Sequence, residues 1–144
     1  MKRLPKNENC LETHASFYLC GESLNPEVIS KTLKTRPTFC TKKGDVLKGK
    51  YVKGVKSGTG IWSYQTKKKL KSTNLEEHLL YLLKKFKRIP PVFYKTIEMS
   101  KLNLSFRCFW MSATGYGGPV ISTGTLKKIA DLGAKLEFDF YSSV

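Results

Sequence analysis

Between residues 44 and 50 the chain reads Gly44-x-x-x-x-Gly49-Lys50, one residue short of a phosphate-binding loop. In a working loop a Ser or Thr follows the lysine to hold magnesium, and the segment opens a helix whose N-terminal amides face the phosphates. Here Tyr51 follows Lys50, and Tyr51-Val52 has the character of a strand, so the nucleotide reading fails on both counts. The glycines are better suited to the turns of a long hairpin, where a positive φ is tolerated. The same stretch carries Lys42, Lys43, Lys48, Lys50, Lys53 and Lys56, followed by Lys67–Lys69, with Tyr51, Trp62 and Tyr64 nearby in sequence. Lysines at this density would release counterions from a phosphate backbone, and aromatic rings that face outward would stack on bases. Two other readings stand beside that one: a basic surface for an acidic protein partner, and a solubilising hairpin whose aromatics belong to the core. Base-specific reading is not supported, because Arg36 is the only arginine among the thirteen basic residues from Lys31 to Lys71, and lysine lacks the bidentate fork.

Other reactive residues are sparse. Cys10, His14 and Cys20 form the one sequence cluster with metal-ligating chemistry, but a structural zinc site shows two tight Cys/His pairs and the second is missing. No metal and no cofactor is expected. A Cys-His nucleophile would have to use His14 or His78, the only histidines, and no spacing brings a cysteine to either. Glu137 and Asp139 share a strand face, as alternating polar residues on a half-exposed strand do. Gly115-Tyr116-Gly117-Gly118 either brings backbone close to a ligand or another chain or is a flexible connection. With no catalytic constellation, a non-enzymatic binding protein is the expectation. Its partner-contacting set is Lys42, Lys43, Lys48, Lys50, Tyr51, Lys53, Lys56, Trp62, Tyr64 and Tyr116.

The distribution of charge supports a binding surface. The formal net charge of the 144 residues is +15. Residues 31–71 carry thirteen Lys or Arg against Asp45, and residues 84–101 carry six against Glu98, whereas residues 102–144 carry four against three acids. Basicity confined to the middle of the chain is the footprint of a surface that meets an anion. Hydrophobic residues make up 40% of the chain and aromatics 12%, as in folded proteins, and no run of about 18 apolar residues could cross a membrane. The first residues, MKRLPKNENCLETHAS, lack the apolar stretch of a secretory signal. A soluble, cytoplasmic protein is expected, with its four cysteines reduced.

These groups must be positioned by a small set of elements. Residues 1–13 read as a polar arm, and residues 14–144 as one α+β domain with a basic hairpin insert at about 42–59. Ala15–Cys20 alternates as a strand. Asn25-Pro26-Glu27 caps a helix over 26–34, which Arg36-Pro37 stops. Strands are expected around Lys50–Val52 and Gly60–Tyr64. A second helix over 75–87 carries a stripe of Leu75, Leu79, Leu82, Leu83 and Phe86 behind a capping box at Thr73-x-x-Glu76 or Asn74-x-x-Glu77. Leu104–Met111, apolar on both faces, reads as a central strand. Pro119–Ser122 pairs briefly if at all. A third helix over 124–132 turns Leu126, Ile129 and Ala130 inward and ends at Gly133. Leu136–Tyr141 forms the last strand. Ser16-Phe17 with Val28-Ile29-Ser30 and Leu33 echoes Ser105-Phe106 with Val120-Ile121-Ser122 and Leu126. Either this is coincidence, or it marks two related strand–helix–strand halves. The predicted architecture is a layered domain, a mainly antiparallel sheet with about three helices packed on it.

The order of several short segments resembles the bacterial family known as domain of unknown function 4279. These are Arg36-Pro37-Thr38, Lys43-Gly44-Asp45, Gly60-Ile61-Trp62-Ser63, Leu75-Glu76-Glu77-His78-Leu79, Gly117-Gly118, and the run from Leu132 to Ser142. The resemblance spans about residues 14–143. It implies a single α+β domain and standalone cytoplasmic proteins. It further implies kinship with immunity proteins that bind and block one cognate toxin. Against that pattern the lysine-rich insert between Asp45 and Gly60 stands out as a recognition element, and a non-specific RNA or DNA binder is the alternative.

Overall fold

The computed structural model describes residues 4–49 and 53–144. Among these residues the fold is α+β, with a mostly antiparallel five-stranded sheet and four helices. In chain order the elements are β1 (Cys10–Gly21), α1 (Pro26–Leu33), β2 (Phe39–Thr41), β3 (Gly60–Gln65), α2 (Leu75–Lys85), α3 (Pro91–Met99), β4 (Asn103–Ser112), α4 (Thr123–Asp131) and β5 (Lys135–Ser142). The sheet order is β2-β3-β1-β4-β5. β2 runs antiparallel to β3, with Phe39 opposite Ser63, whereas β5 runs parallel to β4, with Ser105 opposite Lys135 through to Ser112 opposite Ser142. The parallel pair follows from α4, which supplies the crossover that two parallel strands require.

The chain forms two compact units. One comprises Met1–Phe17, Gln65–Lys87 and Ser105–Val144, the other Tyr18–Tyr64 and Arg88–Leu104. In the first, Ala15, Phe17, Leu75, Leu79, Leu82, Phe86, Phe106 and Trp110 are buried. The Phe17 ring stacks on Phe86 at 4.0 Å between centroids and meets Phe106 edge-on at 5.7 Å. Asn74 caps α2, its side chain accepting from the Glu76 amide. The two glutamates that could have closed a capping box are used elsewhere. Glu76 Oε1 accepts from the backbone amide of Ser122, the N-cap of α4, at 2.6 Å. Glu77 Oε2 accepts from Ser72 Oγ at 2.7 Å. Thus Glu76, in the first turn of one helix, satisfies an amide at the start of another, and α2 packs on α4.

In the second unit Leu19, Leu24, Ile29, Trp62, Phe93, Leu102 and Leu104 are buried, and α1 packs on α3. α3 is additional to the three helices expected from the sequence, its start hidden by Pro90-Pro91, a pair that reads as a helix stop. Pro91 sits at the first helical position, where a proline has no amide to lose, and Phe93 anchors the helix. β2 is likewise additional, at three residues too short for any periodicity to show.

Several boundaries and faces differ from expectation. β1 begins at Cys10 rather than Ala15, and Thr13 in that extension is buried, its hydroxyl donating to the Phe109 carbonyl at 2.7 Å. Preceding residues are tied down as well: Asn7 Nδ2 donates to Gly118 O, and Asn74 Nδ2 donates to Pro5 O. On α4, Ile129 and Thr125 point inward while Leu126 and Ala130 are exposed. The hydroxyl of Thr125 earns that place by lying 3.2 Å from the N-cap hydroxyl of Ser122. Residues 119–122 form no strand. The expected strand at Lys50–Val52 lies outside the described residues.

Candidate functional site: the basic hairpin

Hydrogen bonds define the hairpin that follows β2. Lys42 turns the chain, its amide donating to Asp45 Oδ2 at 2.8 Å while the Asp45 amide returns to the Lys42 carbonyl at 3.0 Å. A short ladder then joins the two arms. Gly44 N–H donates to Ser57 O at 2.8 Å, Ser57 N–H to Asp45 O at 2.7 Å, and Leu47 N–H to Val55 O at 2.8 Å, with Val46 bridged to Lys56. Gly44 (φ +91°) and Gly54 (φ +82°) occupy the left-handed backbone region that other residues enter only with strain. No helix lies between β2 and β3 among the described residues, so nothing there presents an amide cradle to a phosphate.

Lys42, Lys43, Lys48, Lys53 and Lys56 are all exposed. Lys42 lies 3.7 Å from Glu27 and Lys43 lies 3.5 Å from Glu22, exposed pairs worth little and readily exchanged for another anion. Lysine is not the whole surface, because Val46 and Val55 are each more than half exposed. Val46 and Lys56 are opposite partners and therefore share one face of the ladder. Beside the hairpin a cavity of about 500 Å³ is lined by Phe39, Thr41, Asp45, Val46, Leu47 and Lys48. Phe39, on the outermost strand of that side, is 46% exposed.

The aromatic part of the expected set divides. Trp62 and Tyr64, expected from the sequence to contact a partner, belong to the core instead: Trp62 is fully buried, with its indole N–H donating to Ser30 Oγ at 3.0 Å, and Tyr64 is 7% exposed. Both alternate positions of β3 face an interior, a consequence of the pleat that no sequence window around Gly60–Gln65 discloses. Tyr116 is on the surface at 77% exposure, in a loop pinned by Ser112 Oγ donating to the Tyr116 carbonyl and by the close approach of Gly117 to Asn9. Lys50 and Tyr51 lie outside the described residues. Sequence reasoning missed Phe39, Val46, Leu47 and Val55. The valines' position in a lysine-rich run was the available signal, since an apolar residue in such a run is exposed unless the run folds back on a core.

The residues weighed for catalysis or metal binding have other occupations. His78 is completely buried, with Nε2 2.9 Å from the Ser72 carbonyl and Nδ1 2.6 Å from Thr66 Oγ1. Burial lowers its pKa below the usual histidine value, although the Ser72 carbonyl and Glu77 oppose this. The neutral ring therefore donates from Nε2 to the carbonyl and accepts the Thr66 hydroxyl proton at Nδ1. His14 stacks on Phe109 at 4.7 Å, and burial, with Lys67 nearby, lowers its pKa too. Burial raises the thiols of Cys10 and Cys40 and pushes Cys108 up to about 12, the opposite of what an activated nucleophile needs. No group of three or more His, Cys, Asp or Glu side chains among the described residues could hold a metal ion. No helix among them is long and apolar enough to cross a membrane.

Comparison with family models gives one match, to the Domain of unknown function (DUF4279), over residues 11–143. Comparison with curated proteins and with solved structures gives no match.

Proposed function

This chain belongs to the DUF4279 family, a domain of unknown function, so its activity has to be argued from its own surface, and we propose that it is a non-enzymatic inhibitor-type binding protein: an immunity protein that neutralises a cognate bacterial toxin through the basic hairpin. One observation carries this reading. The hairpin holds five exposed lysines on a hydrogen-bonded ladder together with exposed Val46 and Val55, next to a groove lined by Phe39 and Leu47. Charge mixed with apolar surface suits a protein face with a hydrophobic centre and an acidic rim. A single-stranded nucleic acid requires outward-facing rings, and burial of Trp62 and Tyr64 removes two of those that would have stacked. An inhibitor that imitated nucleic acid would be acidic, so this one docks on an acidic face of the toxin, away from any phosphate-binding site.

The test pairs the protein with purified candidate toxin domains in titration calorimetry, before and after nuclease treatment, alongside a Lys48→Glu, Lys53→Glu, Lys56→Glu variant. The expected result is a stoichiometric, nuclease-resistant complex with one domain that weakens on the order of 100-fold in the variant. Binding insensitive to the three reversals overturns the assignment of the surface. Recovery of heterogeneous nucleic acid alone, with affinity falling log-linearly in salt, overturns the inhibitor reading in favour of a non-specific RNA or DNA binder.

A further inference from the structure

The end of the sheet order away from the hairpin presents a second exposed surface. β5 is an outermost strand, and all eight of its residues stay in continuous register with β4, from Lys135 to Ser142. Outermost strands are ordinarily blunted by brevity, by a lysine or proline in the strand, by a bulge, or by a covering segment. β2, at the other end, is three residues long. β5 is eight residues long with no proline, its one lysine is its first residue, and of its two acids Glu137 is met from β4 by Arg107, leaving Asp139 as the one unpaired charge inside the strand. Its aromatics are in solvent: Phe138 is 37%, Phe140 59% and Tyr141 54% exposed. Phe138 and Phe140 stack on each other with centroids 5.2 Å apart and rings only 6° from parallel, on one side of the strand.

We propose that β5 pairs with β5 of a second copy of this chain, antiparallel about a two-fold axis, and that the protein self-associates as a dimer through a continuous sheet. Charge selects the occupant. At +15 overall, two copies repel wherever lysines meet, but residues 102–144 carry only four basic residues against three acidic ones, and Glu137 is already met by Arg107 at 3.3 Å. This strand is where two such chains can abut. The strand also fits itself in one particular register. With Phe140 on the axis, Phe140 faces its own copy, Asp139 faces Tyr141, Phe138 faces Ser142, Glu137 faces Ser143, and Leu136 faces Val144, so no like charges are opposed. Moving the axis to Phe138 sets Glu137 against Asp139, and moving it to Asp139 sets that carboxylate against itself, both unfavourable. Ser143 N–H donates to the Ser112 carbonyl at 3.0 Å, which carries the line of the strand past Ser142 as this register requires.

Sedimentation velocity and light scattering on the full chain, at concentrations on the order of 100 µM, test this directly. The expected mass is twice the 16.4 kDa of one chain, and association should tighten as salt is raised to about 0.5 M, because screening relieves the mutual repulsion. Phe140→Lys should weaken the dimer by at least about 30-fold while leaving the circular dichroism spectrum native. Should that variant fail to fold, a thiol trap reads the same contact. In a Cys40→Ser background, which removes the one exposed native thiol, Phe140→Cys should cross-link under mild oxidation and Asp139→Cys should not. A wild type that stays monomeric in high salt, a dimer unchanged in folded Phe140→Lys, or cross-linking of both cysteine variants alike would overturn the proposal.

Discussion

The hairpin after β2 and the strand β5 are both exposed, yet they solve the problem of exposure in opposite ways. The hairpin places a lysine at nearly every third position, leaves two valines uncovered, and has only a short ladder of its own. β5 is paired along its full length to β4, carries one lysine, and exposes three aromatic rings. Charge repels a second copy of the chain while attracting an acidic stranger, whereas an aromatic edge whose few charges nearly cancel accepts a strand of like pattern. The difference teaches that exposed apolar area alone does not name a partner. The sign and density of the charge around it decide whether self or non-self can approach.

The strongest way to break this comparison is to show that the surface has been drawn in the wrong place. Trp62→Ala should cost about 3–5 kcal/mol of stability in urea unfolding, as removal of a core indole does. If Trp62 instead faced a partner, the midpoint would stay where it is and only affinity would fall. A smaller effect sharpens the division of labour. Lys48→Glu with Lys53→Glu and Lys56→Glu should leave stability within about 0.5 kcal/mol per site and leave self-association in place, because exposed substitutions away from packed features change little. Phe140→Lys should do the converse and spare toxin binding. Loss of both activities in either variant would merge the two surfaces into one.

The buried His78 belongs to neither surface and acts on folding alone. Its native pKa lies below the 6.5 it has when unfolded, because of burial. Between those values the unfolded chain binds the extra proton, so stability rises with pH there, is fully present above 6.5, and is lost as pH falls. Thermal unfolding followed from about pH 7.5 to about pH 5.5 should therefore show a falling midpoint, with a shallower slope in His78→Gln. An unchanged slope in that variant would remove His78 from the account. At lower pH Glu76 adds to the trend. Burial pushes its carboxyl up, but the Ser122 and Thr125 hydrogen bonds together hold it below its ordinary 4.5, so the cap on α4 is released only as that lower value is passed. A comparably small effect is expected at the pair of Arg107 and Glu137, about half-exposed and 3.3 Å apart. Glu137→Gln should cost no more than about 0.2–1 kcal/mol, and the difference should shrink in high salt.

Much of the fold was legible before any coordinates. Asn25-Pro26-Glu27 places α1, the stripe from Leu75 to Phe86 places α2, Ser122 and Gly133 bracket α4, and the doubly apolar run from Leu104 to Met111 marks β4 as central. These signals are local, so a short window contains all of the physics involved. The turn glycines and the lysines of the hairpin are visible in the same way, whereas the arms that pair in it, residues 44–47 and 55–57, were not expected as strands. What only the tertiary structure decided was non-local. Whether Trp62 and Tyr64 face a partner or a core depends on what packs on both sides of β3. Which backbone amide Glu76 satisfies depends on where α4 starts, 46 residues further on. Whether Leu136, Phe138 and Phe140 are an inner or an outer row depends on what packs over that face of β5, where Phe138 and Phe140 stay exposed. Period-two alternation in the sequence selects a side of the strand. The neighbours that cover that side, or leave it open, come from distant parts of the chain.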